Sequence, residues 1–411
     1  MAAGNRLPWR GAMFDISRHF FDKDFIKKNM KALALFGYNT LHLHLTDDQG
    51  WRLESKVYPR LHEIGSYRVK SQNNHGLLEP TFDESPHSGY LTQQDILEII
   101  DQGKSLGINV VPEINIPGHT GALLAAYPEF GVNKEEVQVA SEWGISRNLI
   151  TPLPKTFEFL QNLFAEVAAL FPSQYIHVGG DESLIDNWSK DREVIEYMKT
   201  IDVANNKELF NYFMKQVEGM INSLGKEMIT WDDAFAFNPE GASNAIVMSW
   251  RGKEISQKAL LHHRKVIQAP VFPTYFDYSQ ELSETEPLAI GGPITLEDVL
   301  GFEALDGVLG VQFQLWSEYI QNEEHAEYMI WPRAAALAFK AWSGESDFNE
   351  YFNSRRPALE ELGIAIRELD PNLRKNIAHL GIGEYNPGIS TADMVQALRN
   401  AAAKGEIAQD F

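Results

Sequence analysis

Residues 175–182 read Tyr-Ile-His-Val-Gly-Gly-Asp-Glu, a short apolar strand that runs into two glycines and then into two adjacent carboxylates. The glycines let the backbone turn sharply and let a ligand approach it closely. Like charges side by side raise the pKa of one acid, which suits a carboxyl group to act as a general acid near neutral pH. An isolated Asp-Glu pair is more often a solvated turn, so the interpretation of Asp181 and Glu182 as a site depends on the rest of the chain.

The strand at 175–178 is one of eight short apolar segments that alternate with helical patterns. The predicted strands are 12–16, 40–45, 109–114, 175–178, 227–230, 245–249, 266–269 and 309–315. Apolar residues recur at helical spacing in 25–36, 93–106, 154–170, 207–224, 253–263 and 328–342. This alternation predicts an α/β fold, a (β/α)8 TIM barrel with long loops.

A doubly wound open sheet would show the same alternation. That fold usually carries a Gly-rich phosphate-binding turn after its first strand, and residues 15–19, Asp-Ile-Ser-Arg-His, contain no glycine. After residue 343 the segments 348–362 and 391–403 predict helices with no strand between them. We therefore expect a catalytic barrel over 1–345 and a small C-terminal helical cap, 346–411, packed on it. The long connections 47–90 and 130–151 are expected to be functional.

Composition restricts the classes of partner. The 411 residues carry a formal net charge of −21 and include no cysteine. Nucleic acid and anionic membrane require a basic face, and disulfides, thiolate catalysis and Cys-ligated metals require cysteine. No apolar run approaches the about 20 residues that span a bilayer, and residues 1–10 contain no apolar signal region. We expect no nucleic-acid or membrane partner; a cytoplasmic, periplasmic or secreted location and a homodimer are each compatible with the sequence.

Chemistry in a TIM barrel sits at the C-terminal ends of the strands, and every predicted strand here ends near an acid, an aromatic residue, an Arg or a His. Charged groups bind sugar hydroxyls through strong hydrogen bonds, which makes Arg18, Asp47, Asp277 and Glu318 candidates for that role. Trp side chains can wall an apolar group, although each Trp alone is more often a core residue. The alternative for Arg18, which the sequence favours less, is a salt bridge across the barrel mouth. The candidates are Arg18, Asp47, His119, Asp181, Glu182, Trp231, Trp250, Tyr275, Asp277, Trp316 and Glu318.

Five segments resemble glycoside hydrolase family 20, the β-N-acetylhexosaminidases. They are residues 10–20 (Arg-Gly-Ala-Met-Phe-Asp-Ile-Ser-Arg-His-Phe), 41–51 (Leu-His-Leu-His-Leu-Thr-Asp-Asp-Gln-Gly-Trp), 117–119 (Pro-Gly-His), 177–182 (His-Val-Gly-Gly-Asp-Glu) and 331–333 (Trp-Pro-Arg). The last four together are highly specific. The resemblance implies exo-hydrolysis of terminal β-linked N-acetylglucosamine or N-acetylgalactosamine from a glycan or chitooligosaccharide, with no cofactor and no metal.

The resemblance also implies a substrate-assisted mechanism, in which the acetamido oxygen of the sugar attacks C1 and forms an oxazolinium ion. By resemblance Glu182 is the general acid and later the base, and Asp181 orients the acetamido N–H. Tyr275 donates to the acetamido oxygen. The aromatic side chains that would enclose the acetamido methyl and the sugar face are Trp231, Trp250 and Trp316, and the groups that would hold O3, O4 and O6 are Arg18, Asp277 and Glu318.

The sequence departs from the family pattern at position 115. In the family the His at position 119 is linked to an Asp four residues earlier, which here is Asn115. An Asn cannot hold a positive imidazolium as an Asp does, so this departure counts against a proton relay through His119. A role for His119 as a plain hydrogen bonder is equally compatible with the sequence, and the assignment of Glu182 is unaffected. Family members usually carry a small α/β domain before the barrel as well; its absence from this sequence is expected either of a single-barrel form, as in the dispersins, or of a sequence given without that domain.

Two other classes of protein stay open. His42 and His44 lie on the same face of a strand, as in some barrel metallohydrolases. Interior packing and hydrogen bonding is the favoured explanation, because the fifth and sixth strands end in Trp-Asp-Asp and Ser-Trp-Arg rather than in His; inactivation by a chelator would favour the metal. A sugar-binding barrel without catalysis would have the pocket but would not need Glu182, and binding of N-acetylglucosamine without turnover would favour it.

Overall fold

The computed structural model describes residues 7–76, 79–240, 243–281 and 286–368. Its centre is a closed barrel of eight parallel strands. In chain order these are β1 to β8, with the bounds Trp9–Asp15, Thr40–His44, Asn109–Ile116, Tyr175–Gly179, Glu227–Trp231, Ile246–Ser249, Val266–Gln268 and Gly310–Leu315. The predicted TIM barrel is confirmed, and every predicted strand is present with only its ends shifted.

Strand β1 closes the barrel because it pairs with both β2 and β8. Trp9 lies opposite Gly310 in the register of β1 with β8. A Cβ atom on Gly310 would lie 1.7 Å from the backbone oxygen of Trp9. Only glycine permits so close an approach of two strands at this point.

The pleat of the strands separates two cores. In β2, Leu41 and Leu43 belong to the large apolar layer between the barrel and its helices. His42 and His44 point to the opposite side, into the barrel, and are fully buried. An apolar cluster that includes Trp9 and Met248 fills the barrel beside this polar layer, so the barrel interior is a packed core and not a channel.

Helices and short turns cover the barrel. The α-helices are Lys23–Leu35, Arg60–Glu63, Gln93–Leu106, Gly121–Ala126, Pro154–Leu170, Arg192–Thr200, Asn206–Ser223, Asp233–Phe237, Lys253–Leu261, Val271–Thr274, Leu296–Leu300, Glu323–Ile330, Arg333–Ala338, Phe348–Asn353 and Arg356–Glu361. Three 3-10 turns are Pro128–Phe130, Val132–Lys134 and Ile185–Lys190, and Phe339–Ser343 is a π turn. The long connection after β2 contains two short antiparallel pairs, Thr46–Asp47 with Gly50–Trp51 and Tyr67–Arg68 with His87–Ser88.

Local sequence explains where these helices start and stop. The helix Gln93–Leu106 begins at a capping box, in which the Thr92 side chain accepts the N–H of Asp95 and the Asp95 side chain accepts the N–H of Thr92. It ends at Gly107, whose φ of 71° is left-handed. No helix among the described residues is both long and apolar enough to cross a membrane.

The prediction of one continuous helix over 328–342 is wrong. The chain instead forms Glu323–Ile330 and then Arg333–Ala338, because Pro332 lacks an N–H and cannot continue a helix. The break places the Arg333 guanidinium in the core, where it donates to four backbone carbonyl oxygens. This buried Arg ties the helix to the segment 276–294 that follows β7.

After the barrel, the helices Phe348–Asn353 and Arg356–Glu361 are described. Tyr351 lies edge-on to Phe36 at a ring separation of 5.7 Å, which packs the first of them against the loop before β2. The predicted helix 391–403 lies outside the described residues, and the cap over 346–411 stays a prediction.

Candidate active site

The turn after β4 carries the two adjacent acids. Gly179 and Gly180 have φ angles of 68° and 90°, and Glu182, with φ 44°, is also left-handed. A Cβ atom on Gly179 would lie 1.8 Å from Oδ1 of Asn115, so the contact between β3 and β4 requires glycine. The Asp181 side chain is 13% exposed and that of Glu182 is 29% exposed. The turn therefore gives two neighbouring acids different surroundings.

Asp181 is fixed from β3. Its Oδ1 accepts a hydrogen bond from Nδ2 of Asn115 at 2.9 Å. Burial raises the pKa of Asp181 to about 7; the positive charge of His119 opposes this shift and three nearby carboxylates add to it. Asp181 thus changes its charge near neutral pH, which is the range in which acid–base and charge-stabilising groups are useful.

Glu182 is the more accessible of the two acids. Its backbone N–H donates to Oδ1 of Asp233 at 3.2 Å, a contact that holds the left-handed turn in place. Its Oε2 lies 3.4 Å from Nε2 of His119. The carboxyl group can therefore face a ligand in the barrel mouth while its other side stays in contact with an imidazole.

His119 lies between these acids and a second pair of carboxylates. Its Nε2 is 3.6 Å from Oδ2 of Asp181, and its Nδ1 is 3.0 Å from Oδ1 of Asp47 and 3.4 Å from Oδ2 of Asp48. Burial lowers the pKa of His119, but the charges of Asp47 and Asp181 outweigh burial and raise this pKa well above its ordinary value. His119 is accordingly an imidazolium at neutral pH.

The departure at position 115 does not leave His119 without a carboxylate partner. The two acids that follow β2, Asp47 and Asp48, supply the carboxylates from a different strand end. Asn115 serves Asp181 instead. His119 is therefore hydrogen-bonded to Asp47 through Nδ1, whereas its Nε2 faces Glu182 at 3.4 Å and has no hydrogen-bond partner among the described residues.

Asp47 is also joined to groups on two further sides. Its Oδ2 lies 2.8 Å from Nη2 of Arg18 and 2.8 Å from Nε2 of His44. Nδ1 of His44 lies 2.6 Å from Oε2 of Glu113. Burial lowers the pKa of His44, but the two carboxylates outweigh it and raise this pKa to about 10. A charged His44 thus joins Asp47 to Glu113, and both Asp47 oxygens are engaged by protein groups.

Glu113 anchors this network inside the barrel. Its Oε1 accepts the indole N–H of Trp231 at 3.0 Å, and its Oε2 lies 3.0 Å from Nε2 of His42. Burial raises the pKa of Glu113, but the charge of His44, together with the neighbouring His177 ring, outweighs burial and holds this pKa well below its ordinary value. Trp231 is therefore the floor of the site, with its ring held by a buried carboxylate.

Aromatic rings and Arg18 form one wall. The ring of Trp316 lies 5.7 Å from that of Trp231 and 6.2 Å from that of Tyr275. Cζ of Arg18 lies 5.2 Å from the centre of the Trp316 ring. These four predicted residues, which come from different strand ends, meet at one place.

Trp250 stands near the Glu182 turn. Its indole N–H donates to Oδ2 of Asp233 at 3.0 Å, and Cζ of Arg251 lies 4.4 Å from its ring centre. Arg251 also pairs with Asp232 and Asp233. Trp250 is thus linked to Glu182 through Asp233, which accepts hydrogen bonds from both.

Asp277 and Glu318 are the remaining predicted acids. Oε1 of Glu318 lies 3.7 Å from Nη1 of Arg18. Burial raises the pKa of Asp277 well above its ordinary value, and the charge of Glu318 adds to the shift. Oδ1 of Asp277 is buried and has no hydrogen-bond partner among the described residues. An unpaired buried acceptor costs roughly 1–3 kcal/mol, which a hydroxyl donor of a ligand would recover.

Several residues of the site were not predicted. Glu113 is a lone acid inside an apolar strand, and that position alone is a signal, because an unpaired carboxylate is not stable in a barrel core. Asp48 and Asp233 are each the second acid of an Asp-Asp pair at a strand end. Arg251 follows Trp250 directly, but its pairing with two acids of another strand end has no sequence signal.

Within the part of the chain that the structure describes, three groups of His and acid side chains have the spacing of metal ligands: His42 with Glu113 and His177, Asp47 with Asp48 and His119, and His119 with Asp181 and Glu182. In the two groups that contain His119, a metal would have to displace the proton that Asp47 and Asp181 stabilise on that imidazole by raising its pKa. In the first group, Nδ1 of His177 accepts the N–H of Gly179 at 3.0 Å, so its 3.2 Å approach to Glu113 is not a hydrogen bond. Nε2 of His42 and Nε2 of His177 are buried without a hydrogen-bond partner among the described residues, so the chelator experiment is the test for this group.

Comparison with known proteins places this geometry in a family. The model of the glycosyl hydrolase family 20 catalytic domain matches residues 7–345. A β-hexosaminidase of Porphyromonas gingivalis is 36% identical over 84% of this chain and 44% of its own length, and one of Vibrio furnissii is 34% identical over 81% of this chain and 56% of its own. The chain spans about half the length of these curated relatives.

Solved structures agree with the sequence match. An exo-β-N-acetylglucosaminidase of Vibrio harveyi in complex with N-acetylglucosamine has a TM-score of 0.78 at 31% identity, over 89% of this chain and 60% of that chain. A β-N-acetylhexosaminidase of Bacteroides fragilis has a TM-score of 0.73 at 28% identity, over 88% of this chain and 73% of that chain. The barrel, the acid pair after β4 and the family match over most of the chain agree: this chain belongs to glycosyl hydrolase family 20.

Proposed function

We propose that the protein is a retaining exo-β-N-acetylhexosaminidase, which removes terminal β-linked N-acetylglucosamine or N-acetylgalactosamine from glycans or chitooligosaccharides through an oxazolinium intermediate. The observation that carries this proposal is the adjacent pair Asp181 and Glu182. Both acids reach one imidazolium, at 3.6 Å and 3.4 Å, from differently buried positions. The sugar that accompanies the Vibrio harveyi structure supports the same ligand class.

Glu182 is the proton donor in the proposed mechanism. It protonates the glycosidic oxygen as the bond from that oxygen to C1 breaks, and the acetamido oxygen of the sugar forms the new bond to C1. The carboxylate left on Glu182 faces the positive His119, which stabilises it. Glu182 then removes a proton from the water that attacks C1 and opens the oxazolinium ring, so the enzyme returns to its starting state.

Asp181 supports the step in which the sugar supplies its own nucleophile. With Oδ1 bound by Asn115, its Oδ2 is the oxygen available to accept the acetamido N–H. That hydrogen bond aligns the acetamido oxygen with C1 and stabilises positive charge as the ring forms. Tyr275, beside Trp316, is placed to donate to the acetamido oxygen.

The remaining predicted residues bind the sugar. Arg18 and Glu318 lie together at the mouth and suit a pair of hydroxyls, because their charges strengthen each hydrogen bond. The unpaired Oδ1 of Asp277 takes a third hydroxyl. The acetamido methyl and the sugar face are enclosed by Trp231, Trp250 and Trp316. Asp47 contributes indirectly, because it pairs with Arg18 and His119 and fixes their positions.

Paired aryl glycosides test the proposal. Release of p-nitrophenol is measured from three aryl glycosides: the β-N-acetylglucosaminide, the β-N-acetylgalactosaminide and the plain β-glucoside. The assays run from about pH 5 to about pH 8, the range in which folded proteins are most stable. Turnover of the acetamido sugars alone is expected, because only they carry the nucleophile, and their ratio ranks the two configurations. Equal turnover of the plain glucoside would overturn the substrate-assisted mechanism. Binding of N-acetylglucosamine without turnover of any glycoside would favour a sugar-binding barrel, and loss of activity with a chelator would favour a metallohydrolase.

A further inference from the structure

We infer that Asn115 is a positioning residue, whose amide favours the ionised form of Asp181 and leaves one of its carboxylate oxygens facing the substrate. The inference rests on the proposed function for the role of Asp181, but its structural part stands on contacts alone. Asn115 is buried at the end of β3, with 2% of its surface exposed. It stands where family 20 is expected to carry an Asp, so the effect belongs to this chain's own sequence.

The hydrogen bonds of Asn115 fix the orientation of its amide. Its Oδ1 accepts the N–H of Gly180 at 3.4 Å, and its Nδ2 donates to Oδ1 of Asp181 at 2.9 Å. A flipped amide would set two donors against each other at Gly180 and two acceptors against each other at Asp181. The backbone N–H of Asn115 donates to Oγ1 of Thr46 at 3.0 Å, which holds the residue from the other side.

The charges around Asp181 show why a neutral donor matters. Asp181 faces Glu113 and His119, which belong to β3 and the loop after it. It also faces Asp233 from the segment after β5, and Glu182 is its neighbour in the chain. Tyr275 faces it from the segment after β7. His119 is the cation of this set, whereas the three carboxylates disfavour ionisation of Asp181. An amide donor favours the ionised form without adding a negative charge.

An acid at position 115 would have the opposite effect. With the same placement, a carboxylate oxygen would replace Nδ2 at 2.9 Å from Oδ1 of Asp181. Two carboxylates at hydrogen-bond distance cannot both stay ionised and must share a proton. The shared proton would sit on the group that has to accept the acetamido N–H, so the free enzyme would become competent only at higher pH.

The test is Asn115→Asp, followed by carboxyl ¹³C NMR of the aspartate-labelled protein as a function of pH. The Asp181 signal is assigned by its loss in Asp181→Asn. We expect the titration midpoint of Asp181 to rise by at least about one pH unit in Asn115→Asp, and by less in Asn115→Leu, which loses the donor but adds no charge. The acid limb of kcat/KM should move with the midpoint.

Asn29→Asp is the matched control. Asn29 is also buried, and its Nδ2 also donates to a carboxylate, Oε1 of Glu327, at 3.2 Å, but on the outer helices. It should leave the Asp181 midpoint and the pH profile unchanged. If Asn115→Asp does not fold, the rise expected in Asn115→Leu decides the question.

The two proposals fail in different ways. An Asp181 midpoint that is unchanged or lower in the position-115 variants, in an enzyme that hydrolyses the acetamido sugars, overturns the role of Asn115 alone. A raised midpoint in a protein whose wild type hydrolyses none of these sugars overturns the proposed function alone.

Discussion

At the residue scale, the site depends on small differences between neighbouring groups. Asp181 and Glu182 are adjacent, yet one is bound by an amide of β3 and the other by the backbone contact to Asp233. Their identity as a functional pair could be predicted from the sequence, because two glycines and two acids at a strand end are a strong pattern. The partners of His119 could not, because the sequence separation of 72 residues to Asp47 hides their contact.

Glu182→Gln should abolish hydrolysis of N-acetylglucosaminides with an unactivated leaving group. The amide keeps the shape but has no proton to give, and loss of a general acid costs about 10²–10⁴-fold or more. The measurement is kcat on chitobiose beside the affinity for a thiazoline inhibitor, which should stay nearly unchanged. Full residual activity would refute the assignment of the acid.

The acid limb of kcat/KM should lie near pH 7, since burial raises the pKa of Asp181 to about 7. The sign follows from the role: Asp181 must be ionised to accept the acetamido N–H, so activity falls as pH drops below this pKa. In kcat the limb should lie lower, because the bound N–H stabilises the carboxylate. Profiles of both constants for the wild type and for Asp181→Asn check this, and a limb that persists in the variant would assign it to another group.

At the element scale, strand alternation explains how the barrel interior became polar. The period of two that sends Leu41 and Leu43 outward sends His42 and His44 inward, next to Glu113 of β3. The strands themselves were predictable from apolar runs. The single helix predicted over 328–342 is divided into two in the structure, and Pro332 was the sequence signal for that break.

Glu113→Gln should destabilise the fold by about 3–5 kcal/mol, the usual cost of breaking a buried ion pair. The amide would face the N–H of His44, which now donates to Oε2 at 2.6 Å, and would leave that imidazolium with one carboxylate. The free energy of unfolding in urea is the measurement. The control is Glu98→Gln, which removes a half-exposed ion pair with Lys23 and should change the free energy of unfolding little.

At the scale of the whole molecule, the charged core makes stability depend on pH. The folded pKa of His44 is about 10, above its ordinary value of 6.5. Because the folded state holds this proton more tightly than the unfolded state, the stabilisation is complete below about pH 6.5 and is lost as pH rises through about 10. Urea unfolding of the wild type should give a falling free energy from pH 7 to 10, and His44→Gln should flatten that slope. An equally steep slope in the variant would place the effect elsewhere.

The overall fold followed from the sequence more completely than the helix boundaries or the side-chain contacts did. Eight alternating segments and the lack of a phosphate-binding turn after the first were enough for the barrel. The internal network from Trp231 to His119 was not predictable, because it joins side chains from several strands whose relative rotation only the closed barrel fixes. Pattern predicts elements well, whereas contacts across the interior require the complete fold.

Closure of the barrel by its first strand has a consequence for biosynthesis. The backbone N–H of His19 donates to Oγ of Ser317, 298 residues later, and Arg18 faces Glu318. Until β8 leaves the ribosome, the emerging polypeptide has two unpaired sheet edges and a site without its last acid. Such edges promote aggregation. Nascent chains that stop before residue 310 should therefore depend on chaperones, whereas a pause in translation after β8 has left the ribosome should be tolerated.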